Sequence, residues 1–232
     1  MKNTRSTLIT ASLFTLALLA IAQTLKTAPV NQGQNQLTPQ EKKEGYILLF
    51  NGKNLDGWDG DPVRWHAENG VIVGSSDGHP FKVNTFLIHK GTFSNFILKG
   101  DIKLRNHNSG IQFRSQQLPG AGWMARGYQA DASEVGAEKS AWGNLYEERL
   151  RGRGAMKSPD EGWKIGQTVV HHNDWNTYEI LADGTHIQLK LNGTVTIDMH
   201  DSAASTGIIA LQLHAGPEMR VEFRNLKLKK LP

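Results

Sequence analysis

Three short segments, Asn108–Arg114, Tyr128–Asp131 and Ile209–His214, alternate apolar with polar side chains. In a strand successive side chains point to opposite faces. With Ile111 and Phe113 turned to a core, Gln112 and Arg114 therefore share the other face. The same phase sets Gln129 and Asp131 opposite Tyr128 and Ala130, and Gln212 and His214 opposite Ile209, Leu211 and Leu213. Buried polar groups need partners. On a concave face these carboxamides, carboxylates and the guanidinium match the hydroxyls of a polyhydroxylated ligand, with Trp and Tyr nearby to stack on rings. On an ordinary outer face the same pattern is merely solvated, and alternation alone leaves both readings open.

Farther along, Trp142-Gly143-Asn144-Leu145-Tyr146-Glu147-Glu148-Arg149 sets two adjacent carboxylates between aromatic residues and a cluster of Arg149, Arg151 and Arg153. A partly desolvated carboxylate beside a cation can be tuned as a general acid or base; a solvated loop edge is the plain alternative. Of the histidines, His214 is the one favoured for a site because it lies on the polar face. His171 and His172 are adjacent, so a strand would point them apart and prevent chelation by the pair. There is no H-x-H or H-E-x-x-H pattern and no G-x-S-x-G elbow. The absence of cysteine excludes thiolate chemistry, disulfides and lipid attachment at an N-terminal cysteine. No cofactor is expected. A divalent cation is neither required nor excluded, and Asp131, Glu147, Glu148 and His214 are the side chains that would hold it.

The elements that position these groups read as strands. Lys2 and Arg5 precede an apolar stretch from Leu8 to Ala22 ending in Ala20-Ile21-Ala22, the pattern of a cleaved export signal. That run is shorter than the ~20 residues a spanning helix needs. Residues 1–22 are thus expected to be a signal peptide, 23–44 a flexible leader with a helix start near Thr38, and 45–232 one domain, periplasmic or extracellular in a bacterium. Beyond Gly45, short alternating runs are separated by Gly, Asn, Asp and Pro clusters. Asn69-Gly70, Asp183-Gly184 and Asn192-Gly193 signal tight hairpins. Phe96, Leu98, Ile102 and Leu104 alternate with Lys99, Asp101, Lys103 and Arg105, as in a half-buried strand. The expected fold is all-β, a sandwich of two antiparallel sheets of the jelly-roll kind. Residues 118–127 and 134–166 read as long loops. The formal charge of +4 is spread thinly, which argues against a nucleic-acid partner.

Taken together, Leu49–Trp58, Asn108–Arg114, Gly127-Tyr128-Gln129, Leu145-Tyr146, Asp174-Trp175-Asn176, Leu191-Asn192-Gly193 and Phe223–Leu226 resemble the 3-keto-disaccharide hydrolase domain, formerly a domain of unknown function, from about Gly45 to Leu231. Where the commoner pattern has Glu after Gly-Tyr, this chain has Gln129, closer to a subgroup reading Gly-Tyr-Gln-Ala-Asp and Trp-Gly-x-Leu-Tyr-x-Glu. The resemblance implies a concanavalin A-like jelly roll acting on glycosides oxidised to a ketone at C3. Such a ketone acidifies the C2 proton, so a base can remove it, the aglycone leaves C1 by β-elimination, and water adds afterwards. For that reaction Arg114, with Gln112 or Gln129, is expected at the enolate oxygen. Glu148 or Asp131 is the expected base, and His214 or Glu147 the acid. Tyr128, Trp142, Tyr146, Arg149 and Gln212 are expected to bind the sugar. The partner is a small carbohydrate, with no membrane span once the signal is removed. A non-catalytic carbohydrate-binding module using the same face is the alternative.

Overall fold

The computed structural model describes residues 33–120, 122–135, 141–152, 154–155 and 161–232. Its strands, in chain order, are β1 Tyr46–Leu48, β2 Trp58–Asp59, β3 Trp65–Glu68, β4 Val71–Ser75, β5 Thr85–Phe93, β6 Phe96–Arg105, β7 Asn108–Gln117 and β8 Ala125–Ser133. They continue as β9 Leu145–Glu148, β10 Gly154–Ala155, β11 Asn176–Asp183, β12 His186–Leu191, β13 Thr194–His200, β14 Gly207–Leu213 and β15 Arg220–Lys230. One sheet runs β13-β12-β11-β6-β15-β4-β3, with β1 also on β15; the other runs β10-β9-β8-β7-β14-β5-β2. The pairs are antiparallel, and the two sheets stack as the jelly-roll sandwich that the alternation predicts.

The core lies between the sheets. Phe96, Leu98, Ile102 and Leu104 of β6 meet Ile111 and Phe113 of β7, Tyr128 and Ala130 of β8, and Ile209, Leu211 and Leu213 of β14, all fully buried. Each large apolar side chain removed from water contributes about 1.5–3 kcal/mol. A one-residue slip would send the whole set outward, so burial fixes the register. Tight turns assist: Asn69-Gly70 and Asn192-Gly193 have φ of 48° and 80°, and of 49° and 84°, the left-handed pair that joins twisted antiparallel strands. Asn106 and His107, at 61° and 58°, close the β6–β7 hairpin in the same way, a turn that the sequence does not advertise because His occupies its second position.

Two expectations are corrected. Residues 33–44, the described part of the expected leader, are docked on the domain. Asn35 is buried, its Nδ2 donates to the Gly70 carbonyl at 2.7 Å, and its N–H and Oδ1 bond the Asn225 side chain and N–H at 2.7 and 2.8 Å. Helix α1, Pro39–Lys43, then begins at Thr38 with a capping box to Glu41. The proposed signal, residues 1–22, lies outside the described residues, and among the described ones no helix is long and apolar enough to cross a membrane. Second, the stretch 134–166, read as loop, supplies β9, β10 and part of helix α2, Gly162–Val169. Strands of four and two residues are too short to show a period, and α2 is obscured by Gly162 and Gly166. Those glycines let its backbone approach Trp142 and Gly143, where a Cβ on Gly166 would sit 1.9 Å from the Trp142 carbonyl oxygen.

Candidate active site

On the face of the β10–β2 sheet turned away from the core, pairing sets side chains in rows. Tyr146, Gln129, Gln112, Ala210 and Ile88 form one row across β9, β8, β7, β14 and β5. Asp131 stands opposite Gly110, and Gln212 opposite Phe86. An outward face is normally wet, yet Gln112, Gln129, Asp131 and Gln212 are all buried here. The face is therefore a hollow. Its apolar side is closed by Trp123, whose carbonyl accepts from the Phe86 N–H at 2.9 Å and which packs against the small cluster of Phe86, Ile88, Ala125 and Ala210. Its polar side is an open cleft of about 160 Å³ lined by Asn84, Asn108, Gln129, Asp131, Tyr146, Glu148, Gln212 and His214.

The cleft is wired by carboxamides. Gln129 Nε2 donates to Asp131 Oδ1 at 3.0 Å and to Gln212 Oε1 at 3.3 Å. Asn108 Nδ2 reaches the same Asp131 oxygen at 3.3 Å, and Gln212 Nε2 reaches Glu148 Oε2 at 3.4 Å. Gly110 makes this possible, because a Cβ there would stand 2.6 Å from Gln129 Cγ. Gln129 Oε1 and both amide atoms of Gln112 are buried with no hydrogen-bond partner among the described residues. Such groups cost about 1–3 kcal/mol each, and Gln129 Oε1, in the cleft lining, leaves acceptor capacity for an incoming hydroxyl.

Glu148 lines the cleft with a perturbed carboxyl. Burial pushes its carboxyl above the usual range, and Arg149 Nε, 3.1 Å from Oε1, partly offsets that rise. His214 moves the other way: burial lowers its imidazole, and the Ala215 carbonyl, 2.6 Å from Nδ1, partly restores it. A carbonyl only accepts, so Nδ1 carries the proton and the neutral ring presents its lone pair at Nε2. Asn84 Oδ1 accepts from the Ala215 N–H at 2.9 Å and steadies that turn. Burial, with Glu148 and Asp131 nearby, raises the Tyr146 phenol.

Not every expected residue reaches the cleft. Arg114 does not share the Gln112 face. The β7–β8 register shifts between Phe113 and Gln116, Arg114 takes φ 45°, and its buried guanidinium donates instead to the carbonyls of Ser94 at 2.8 Å and Gly184 at 2.6 Å and to Asn95 Oδ1 at 3.1 Å. A bulge breaks strict alternation, and nothing in Gln112-Phe113-Arg114 announces one. Tyr128 is on the core face, donating to Asp201. Trp142 is buried against Tyr178, ring centroids 6.3 Å apart, with Nε1 on Glu134 at 3.2 Å. Glu147 is buried on the side opposite Glu148, bound by Arg151 Nε at 2.9 Å. Arg149 touches the cleft only through Glu148, and Gln112 lies beside Gln129 outside the open part.

Asn84 and Asn108 line the cleft without having been singled out. Asn108 was legible, being in phase with Gln112; Asn84 precedes β5, where no period applies. Asp131, Glu148 and His214 share the cleft. Among the described residues, however, no three His, Asp or Glu gather closely enough to hold a metal ion.

Comparison with known proteins agrees with this architecture. The chain is similar to a crystal structure from Parabacteroides distasonis ATCC 8503 described provisionally as a glycosyl hydrolase, at 25% identity and a TM-score of 0.62, covering 86% of this chain and 100% of that one. A second protein from that organism with the same description matches at 20% identity and TM-score 0.55, over 80% and 99% of the two chains. The carbohydrate-binding module CBM66 from Bacillus subtilis shares the fold at 18% identity and TM-score 0.50, over 75% and 96%. No curated protein matches significantly. The residues that suggested a resemblance fall inside the region 45–229 matched by the 3-keto-alpha-glucoside-1,2-lyase-like domain, and the chain belongs to that family.

Proposed function

We propose that this chain cleaves glycosides carrying a ketone at C3, and that it does so in the cleft between Glu148 and His214. Family membership supports a glycoside-processing role. The observation that carries the mechanism is the placement of one carboxylate, Glu148, and one imidazole, His214, anchored through Nδ1 on a backbone carbonyl, among carboxamides in a single hollow.

Glu148, kept ionised by Arg149, takes the C2 proton. The C2–H electrons form a C2=C3 bond and the C3 oxygen becomes an enolate. The Nε2 hydrogen of Gln212 that is not on Glu148 supplies a hydrogen bond to the developing oxyanion, the task first expected of Arg114. When C3=O re-forms, C1=C2 forms and the C1–O bond breaks, with His214 in its imidazolium form, Nδ1–H still on the Ala215 carbonyl, giving the Nε2 proton to the departing oxygen. Water adding across C1=C2 completes a net hydrolysis. The cleft is smaller than the roughly 300–1,000 Å³ of sites that enclose drug-sized ligands, so it takes one ring, with the aglycone toward solvent. An export signal at 1–22 would place this chemistry outside the cytoplasm.

The test is incubation of the purified protein with 3-keto-glycosides and their unoxidised parents, with aglycone release as the readout. Release from keto substrates alone is expected. Glu148→Gln should lower kcat by 10²–10⁴-fold, the usual worth of a positioned acid or base, while substrate binding persists. Binding without release by the wild-type protein would instead identify a carbohydrate-binding module.

A further inference from the structure

His214 does not stand alone. The His107 ring lies over it, centroids 4.5 Å apart and planes 27° from parallel. His107 comes from a different hairpin, as the second left-handed residue of the β6–β7 turn, and its backbone carbonyl is tied by the Glu134 N–H at 2.9 Å. Room for the ring is made by Gly216, where an added Cβ would lie 2.6 Å from His107 Nε2. The turn, the tether and the missing Cβ all place one flat ring against another.

We infer that His107 is a positioning residue for the proposed reaction: by stacking on His214 it holds that imidazole with Nδ1 on the Ala215 carbonyl and Nε2 available to the substrate. The work is done by the face of the ring. His107 Nδ1 is buried with no hydrogen-bond partner among the described residues, so no hydrogen bond there explains why an imidazole is needed. An aromatic side chain of similar width should serve, since offset ring pairs contribute about 0.5–1.5 kcal/mol beyond their burial. A non-aromatic residue that accepts the left-handed turn should not. Asn accepts that turn readily, so His107→Asn removes the ring and preserves the hairpin, whereas His107→Phe preserves the ring.

This inference rests on the reading of the cleft given above, and the experiment separates the two. Small displacements of a reacting group cost up to about 10²-fold in rate. With a 3-keto-glycoside, His107→Asn should lower kcat by about 10–100-fold with KM within about twofold, and His107→Phe should recover kcat to within about threefold of wild type. In the absence of substrate, ¹⁵N-resolved spectra of the imidazoles should show His214 as the single Nδ1–H tautomer in wild type and His107→Phe, and as a tautomeric mixture in His107→Asn. Unchanged kcat in His107→Asn, or a His107→Phe protein as slow as His107→Asn, overturns the stacking role. If no keto-glycoside is turned over by any of the proteins, the functional reading fails. The tautomer spectra then still decide whether His107 orders His214, and an unchanged single tautomer in His107→Asn refutes it.

Discussion

Glu147 and Glu148 are adjacent, and a strand turns them to opposite faces. Glu147 is buried against Arg151, a structural ion pair. Glu148 opens to the cleft, where burial raises its carboxyl. His214 is lowered by the same kind of desolvation. Their titrations thus approach each other from ordinary values of about 4.3 and 6.5. The base form of Glu148 is lost as pH falls and the acid form of His214 is lost as pH rises. The pH dependence of kcat/KM should therefore be a bell with its maximum in the mildly acidic range, and His214→Gln should flatten its alkaline limb. Activity climbing steadily to pH 9 would contradict the assignment. At this scale the sequence revealed the residue types and, through strand phase, the faces of Gln129, Asp131, Gln212 and His214. It could not separate Glu147 from Glu148, because both lay in a segment too short to show a period.

Strand β7 carries both the success and the failure of phase reasoning. Up to Phe113 the alternation holds, and Gln112 lies where it was expected. Beyond it the bulge turns Arg114 back to the carbonyls of Ser94 and Gly184, while the β7–β8 connection brings Trp123 against the cluster of Phe86, Ile88, Ala125 and Ala210. Arg114 accordingly belongs to stability. Hydrogen bonds to a charged donor contribute about 1.5–3 kcal/mol, so Arg114→Ala should cost about 3 kcal/mol. For a domain of this size that lowers the melting temperature by roughly 6–12 °C. The KM for a keto-glycoside should stay within about twofold. A tenfold rise in KM at unchanged stability would return Arg114 to the cleft.

On the scale of the molecule, residues 33–44 are part of the folded unit. Asn35 ties the β3–β4 turn at Gly70 to Asn225 of β15, closing one end of the sheet that backs the site. At about 1 kcal/mol per hydrogen bond, a chain beginning at Gly45 should be about 1–3 kcal/mol less stable in urea than one beginning at Gly33. Equal midpoints would show that this strap adds nothing. The sequence by itself determined the all-β class, the hairpins at Asn69-Gly70 and Asn192-Gly193, the core and the inward or outward sense of most strands. Those follow from periodicity and local dihedral preference, which neighbouring residues carry. Only the tertiary structure decided that the outward polar face is a hollow, that β9 brings Glu148 and not Glu147 into it, and that His107 meets His214 across two hairpins. Each depends on contacts between segments distant in the chain, where burial and a single bulge override the local pattern.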